Sequence, residues 1–166
     1  PRKTPRALNQ IMKITDILSP VTTQSRLAWP SKKRVLENLS SLVSDYLGND
    51  EDQAETLFHS FVAREKLGST AIGDGVAIPH CRAPGVKRIH GCLLTLENPI
   101  DFDSVDDEPV DLIFALIVPE EKNDEHLATL ARVAALMQKD SSRQLLRACE
   151  NSQDLFDTAI ALERAS

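Results

Sequence analysis

The apolar positions of this chain change period twice, and the changes divide it into helices, then strands, then helices. Val35, Leu36, Leu39, Leu42, Val43, Tyr46 and Leu47 recur three and four apart, the spacing of one helix face. Ser31 is placed to cap the start of that helix and Gly48 to stop it. A second helix follows, with Asp50 and Gln53 at the offset of a capping box. Its face is Ala54, Leu57, Phe58, Phe61 and Val62, and Gly68 is its end. The period then shortens. Residues 68–75 are loop by composition and lead into an apolar strand that stops at Pro79. Residues 89–96 read as a strand, 100–103 alternate as a shorter, half-exposed one, and 112–118 form the unbroken apolar run of a central strand buried on both faces. A third helix is expected from Asn123 or Asp124, burying Leu127, Leu130, Ala131, Ala134 and Met137. Two short helices near 143–149 and 154–162 close the chain. The pattern predicts an α/β fold: one mixed β-sheet flanked by helices, in a single domain over residues 11–166, behind a loose basic tail at 1–10.

Composition narrows the partners. At 166 residues and 42% hydrophobic, the chain suits one domain with a real core. Its net charge of −6 disfavours a broad nucleic-acid or anionic-membrane surface, so any phosphate must be bound in a local cationic pocket. No apolar run approaches the ~20 residues of a membrane-spanning helix, and the basic opening leads into no signal-peptide core. The expected compartment is the cytoplasm. Cys81, Cys92 and Cys149 are odd in number and far apart, which argues for reduced thiols rather than a disulfide framework.

The candidate chemistry centres on His80, which follows Pro79 at the end of an apolar strand. Proline fixes its own φ and donates nothing to a ladder, so the chain is expected to leave the sheet there and hold His80 at its edge. An imidazole so placed can titrate, ligate a metal or attack phosphorus; a loop ring bonded to backbone is the plainer alternative. His59, on a helix face, and His90, within a strand, read as solvated or structural. His126 falls in the first turn of the third helix, where free N–H groups favour anions and a ring N–H can donate to a phosphoryl oxygen; an exposed polar residue is the alternative. Arg64 lies seven residues after Leu57 and three after Phe61. Helical spacing therefore turns it inward, either to clamp a phosphoryl group or to pair with a carboxylate.

Other chemistries are weak. Neighbouring strand residues face opposite ways, which separates His80 from Cys81 both as metal ligands and as a nucleophile pair. No Cys-x-x-Cys or His-Glu-x-x-His spacing occurs, so no metal is expected. The glycine loop lacks the Walker lysine and precedes a strand rather than following one, so no nucleotide cofactor is expected either. There is no Gly-x-Ser-x-Gly elbow, and the acidic segment 101–108 lacks calcium-loop spacing.

Three blocks carry a resemblance: Arg64-Glu65-Lys66-Leu67-Gly68-Ser69-Thr70, Gly75-Val76-Ala77-Ile78-Pro79-His80, and the run from Pro109 to Pro119. Together they resemble the fructose/mannitol-type IIA domains of the bacterial phosphotransferase system, from about Ile14 to the last helix. The resemblance implies that His80 accepts a phosphoryl group on Nε2 from an HPr-like phosphocarrier. It implies that Arg64 and His126 support the phosphate, that Ser69 and Thr70 belong to the neighbouring loop, and that neither nucleotide nor metal takes part. Cys81 departs from the glycine that many members carry after the histidine. With no IIB or IIC segment after residue 166, the expected role is a regulatory phosphohistidine carrier acting on nitrogen- or potassium-related targets, such as potassium-transport regulators or sensor kinases. The alternatives are a sugar-specific IIA component that feeds a fructose- or mannitol-type IIB domain, and a non-catalytic binding module of the same fold.

Overall fold

The computed structural model describes residues 13–48, 51–121 and 124–166; the expected tail at 1–10 and the helix-start residues Asp50 and Asn123 lie outside them. It begins with two elements that the apolar pattern does not announce, α1 (Ile14–Ile17) and β1 (Thr23–Leu27). A single helical turn is not stable alone. Here Glu163, from the far end of the chain, accepts the free N–H groups of Ile14 (2.6 Å) and Thr15 (3.3 Å) and is itself met by Arg132 at 2.9 Å. Asp16 also accepts locally from the Lys13 amide at 3.0 Å, but the groups that hold Ile14 and Thr15 come from the far end of the chain.

The next two helices follow their periodicity. In α2 (Lys32–Leu47), the Ser31 side chain accepts from the Arg34 amide at 3.2 Å, and Gly48 closes the helix in the left-handed region. Helix α3 (Glu51–Lys66) buries Leu57 and Phe61 completely. The expected loop at 68–75 instead contains the hairpin β2 (Ala71–Gly73) and β3 (Val76–Ala77). Asp74 and Gly75 both have positive φ (58° and 77°), the two-residue turn that an Asp-Gly pair favours.

Pro79 does not take the chain out of the sheet. After Ile78 and Pro79, β4 (His80–Ala83) resumes along the same neighbour, β6 (Val110–Pro119): Val76 pairs with Leu112 and His80 with Leu116, in unbroken parallel register. One strand thus runs from Val76 to Ala83 with a break of two residues, its first part covered by β2 and its second part, β4, at the sheet's edge. Pro79 supplies no N–H there, but its carbonyl still accepts from Leu116 at 2.9 Å. In place of the two strands predicted at 89–96 and 100–103 there is one, which ends at Ile100. β5 (His90–Ile100) absorbs Ile100 across a register shift at Glu97, Asn98 and Pro99, and the chain then turns into loop. Phe102 is fully buried beyond the strand's end, so the alternation at 100–103 reflects burial of a loop residue rather than pairing.

The sheet order is β1-β5-β6-β3-β2, with β4 also on β6. β1 runs parallel to β5, β5 antiparallel to β6, and both β3 and β4 parallel to β6. Central strand β6 is apolar without interruption from Leu112 to Val118 because it feeds two cores. Ile113, Ala115 and Ile117 face α2 and α3, whereas Leu112, Phe114 and Leu116 face the helices on the other side. Those are α1, α4 (Asp124–Met137), α5 (Asp140–Ala148) and α6 (Ser152–Ala165). The buried stripe of α4 is displaced from the expected one: His126, Thr129, Val133, Leu136 and Met137 face inward, while Leu127 is 69% exposed and Ala131 lies at the surface. Shifting the stripe by one position turns the ring of His126 under the helix.

Candidate functional site

Side chains alternate along β4 as along any strand. Cys81 and Ala83 turn into the core beneath α2 and α3, leaving His80 and Arg82 on the opposite face, beside α4. Burial pushes the Cys81 thiol up to about 12, so it stays protonated and inert. His80 opens onto a cleft of about 500 Å³ between the end of α3 and the first turns of α4. Arg64, Arg82 and His126 share that cleft with Leu67, Leu116, Leu127 and Leu130, so a few polar groups converge on largely apolar walls.

Two contacts fix the state of the His80 ring. Nδ1 lies 2.8 Å from the Ile78 carbonyl, which can only accept; Nδ1 must therefore carry the proton. Nε2 receives a hydrogen bond from Arg64 Nε–H at 3.2 Å, and a guanidinium can only donate, so Nε2 must carry the lone pair. Both contacts require the same neutral tautomer. The ring's pKa is lowered from the ordinary 6.5, first by burial and then by the Arg64 charge, against opposing contributions from the Ile78 carbonyl and Glu65. The outcome is an unprotonated nucleophilic nitrogen facing a cation in a half-buried cleft.

Arg64 is held as well as placed. Its Nη1 donates to the Gly68 carbonyl at 2.8 Å, and the turn that presents this carbonyl passes through a φ of 151° at Gly68, where glycine is at ease. The adjacent residue points the other way: Glu65 is 6% exposed and accepts from the amide and hydroxyl of Thr70 and from Lys32 Nζ at 3.0 Å. Lys32 in turn reaches Asp103 at 3.2 Å and lies over the Phe102 ring. Ser69 Oγ donates to the Phe102 carbonyl at 2.6 Å and accepts from the Ala71 amide. Of the five residues singled out in the sequence, His80, Arg64 and His126 are therefore brought together at the cleft. Ser69 and Thr70 do not line it; their hydroxyls tie the loop to Glu65 and Phe102. Sequence reasoning overlooked Arg82, although its offset of two from His80 in a strand already puts both on one face.

The remaining histidines are as expected. His59 is exposed beside Glu55 at 3.5 Å, and His90 is buried edge-on against Tyr46. Among the described residues, no group of three or more His, Cys, Asp or Glu side chains could hold a metal ion, and no helix is long and apolar enough to cross a membrane.

A mixed sheet between two helical layers, with a neutral imidazole at its edge, has close counterparts. Residues 16–160 match the family described as phosphoenolpyruvate-dependent sugar phosphotransferase system, EIIA 2. The chain belongs to this family of phosphotransferase-system IIA proteins, whose members are phosphoryl carriers. Within it, the chain falls in the nitrogen-regulatory branch. It is 40% identical over 153 residues to a nitrogen regulatory protein of Pseudomonas aeruginosa, covering 92% of this chain and 98% of that one. It is 39% identical to a nitrogen regulatory protein of Bradyrhizobium diazoefficiens, covering 93% and 99%. The crystal structure of the nitrogen regulatory protein IIA-Ntr from Neisseria meningitidis superposes with a TM-score of 0.79 at 35% identity, covering 88% of this chain and 98% of that one.

Proposed function

We propose that the protein accepts a phosphoryl group on Nε2 of His80 from an HPr-like phosphocarrier, and that the phosphorylation state of this cleft governs its contacts with regulatory protein targets in the cytoplasm. The observation that carries this is the pair of contacts on the ring, Ile78 carbonyl on Nδ1 and Arg64 on Nε2, which leaves one nitrogen ready to attack. Transfer forms a bond from Nε2 to phosphorus as the donor's nitrogen–phosphorus bond breaks. The ring gains positive character as it does so, and the Nδ1–H bond to Ile78 stabilises that charge without any proton leaving. Arg64 must release Nε2 and re-aim at the phosphoryl oxygens, a move of one hydrogen-bond length for a guanidinium already tethered at Gly68. His126, in the first turn of α4 and on the cleft wall, would add a ring N–H to the phosphoryl oxygens. Ser69 and Thr70 act one step back, by bracing the turn that carries Arg64.

A phosphoryl group adds about 1.5–2 negative charges at neutral pH. It would arrive between two arginines and beside Leu67 and Leu127, which are 84% and 69% exposed, and so change which protein surface the cleft tolerates. That suits a regulator acting on nitrogen- or potassium-related targets, such as potassium-transport regulators or sensor kinases. The names of the relatives favour this over a sugar-feeding role; rapid discharge of the phosphorylated protein onto a fructose- or mannitol-type IIB domain would reverse that preference. The direct test is intact-mass analysis after incubation with phosphoenolpyruvate, enzyme I and an HPr-like carrier. One acid-labile phosphoryl adduct is expected on the native protein and none on His80→Ala; equal labelling of both would sink the assignment.

A further inference from the structure

Among the described residues that line the cleft, Arg82 is the cation whose side chain has no partner. Arg34, Arg132, Arg143 and Arg147 each meet a carboxylate, as expected where Asp and Glu number 25 against 19 Lys and Arg. The Arg82 side chain makes no hydrogen bond or ion pair with any described residue, and it is exposed. It shares a strand face with His80, two residues and therefore about 6.6 Å along the backbone, a span that an extended arginine side chain covers. It also lines the same cleft. Arg64 meanwhile commits one N–H to the Gly68 carbonyl, and a phosphoryl group presents three oxygens, each able to accept more than one hydrogen bond.

We propose that Arg82 is a second guanidinium for the phosphoryl group, idle while His80 is bare and drawn onto the phosphate once it forms. The inference rests on phosphorylation at His80. Closing onto the dianion, Arg82 lowers the free energy of the phosphorylated protein, shifts the transfer equilibrium toward it, slows loss of the group to water, and hides part of the new charge from a partner. Arg82 is then a state-dependent ligand of the phosphate, whereas Arg64 serves both states.

The test compares wild type, Arg82→Gln and Arg82→Lys for the equilibrium distribution of phosphoryl groups against an HPr-like carrier, and for the hydrolysis half-life of the isolated phosphoprotein. Arg82→Gln should still label once at His80, because the residue is exposed and outside both cores, yet its equilibrium constant should fall roughly 5- to 15-fold and its half-life shorten, with partial recovery in Arg82→Lys. In wild type, the Arg82 Nε–H resonance should move on phosphorylation. An Arg82→Gln protein with unchanged equilibrium and half-life overturns the inference. So does a slower rate from the carrier with an unchanged equilibrium, together with wild-type labelling by phosphoramidate, since that marks a docking contact with the carrier. Absence of any adduct on wild type instead sinks the His80 assignment itself, and this inference with it.

Discussion

Replacing Arg64 by alanine removes the donor facing Nε2 and the tether to Gly68, while leaving the imidazole and its bond to Ile78 in place. The cost in phosphoryl transfer can be bounded from the geometry. A guanidinium charge about 4 Å from a developing phosphoryl charge contributes about 4 kcal/mol at an effective dielectric near 20. Arg64 is only half-buried, so solvent screens part of that, and about 1.5–3 kcal/mol, the range for a hydrogen bond to a charged group, is the better figure. That corresponds to a rate of phosphoryl acceptance roughly 10- to 150-fold lower. The assay is rapid-quench transfer from a phosphorylated HPr-like carrier to Arg64→Ala and Arg64→Lys. Lysine restores charge but cannot serve Nε2 and the Gly68 carbonyl together from one fork, so Arg64→Lys should fall between the two. Histidine NMR supplies the companion measurement: without the arginine charge, the His80 pKa should rise toward its ordinary value, while burial still holds it down. A transfer rate in Arg64→Ala within twofold of wild type would refute the idea that this guanidinium carries the reaction.

Three further outcomes follow from contacts described above. Because the His80 pKa is lowered from 6.5, more than half of the ring should remain neutral at pH 6.5, and phosphoryl acceptance should decline only as pH falls through the lower folded value. The same shift makes the unfolded chain take up its proton first, so the stability this group contributes is complete above about pH 6.5 and is lost on acidification toward the folded value. Urea titrations of wild type and His80→Gln between pH 5 and 8 should diverge in that sense. Gly75→Ala places a Cβ 2.5 Å from Arg147 Nη2 at a φ of 77°, displacing Arg147 from Asp111; a loss of about 1–3 kcal/mol and a fall of several degrees in melting temperature are expected by calorimetry. Glu65→Gln weakens the brace on Thr70 and Lys32 and should slow transfer several-fold by loosening the turn that carries Arg64, with His80 labelling still complete at long times.

The sequence made some of this legible and hid the rest for definable reasons. Helix α2 could be read because its cap, its apolar stripe and its stop are local, and β6 because a strand feeding two cores must be apolar on both faces along its buried length, here Leu112 to Val118. Helix α1 could not, since a single turn with the local Asp16 contact alone is no signal, and the carboxylate that holds Ile14 is Glu163, 149 residues away. The β2–β3 hairpin was present in Asp74-Gly75 but obscured by the surrounding glycines. On α4, Leu127 and Ala131 fit a helical stripe as well as Thr129 and Val133 do, and only packing decides between them. At the cleft, His80, Arg64 and His126 were visible as residues of the right type near element ends. Ser69 and Thr70 were visible too, but their side chains are bound to Phe102 and Glu65, partners that residue type does not reveal.

The break at Ile78 and Pro79 has a consequence for how this site can change. The group that decides which ring nitrogen carries the proton is a main-chain carbonyl, so no side-chain replacement deletes it. An alanine scan will therefore reach Arg64 and His80 and pass over the contact that orients the imidazole. Exposing it needs an edit to the backbone, such as an ester in place of an amide, or a change at Pro79 that restores a continuous strand. The side chains of the cleft walls can change while the orientation of the His80 ring stays written into the path of the chain.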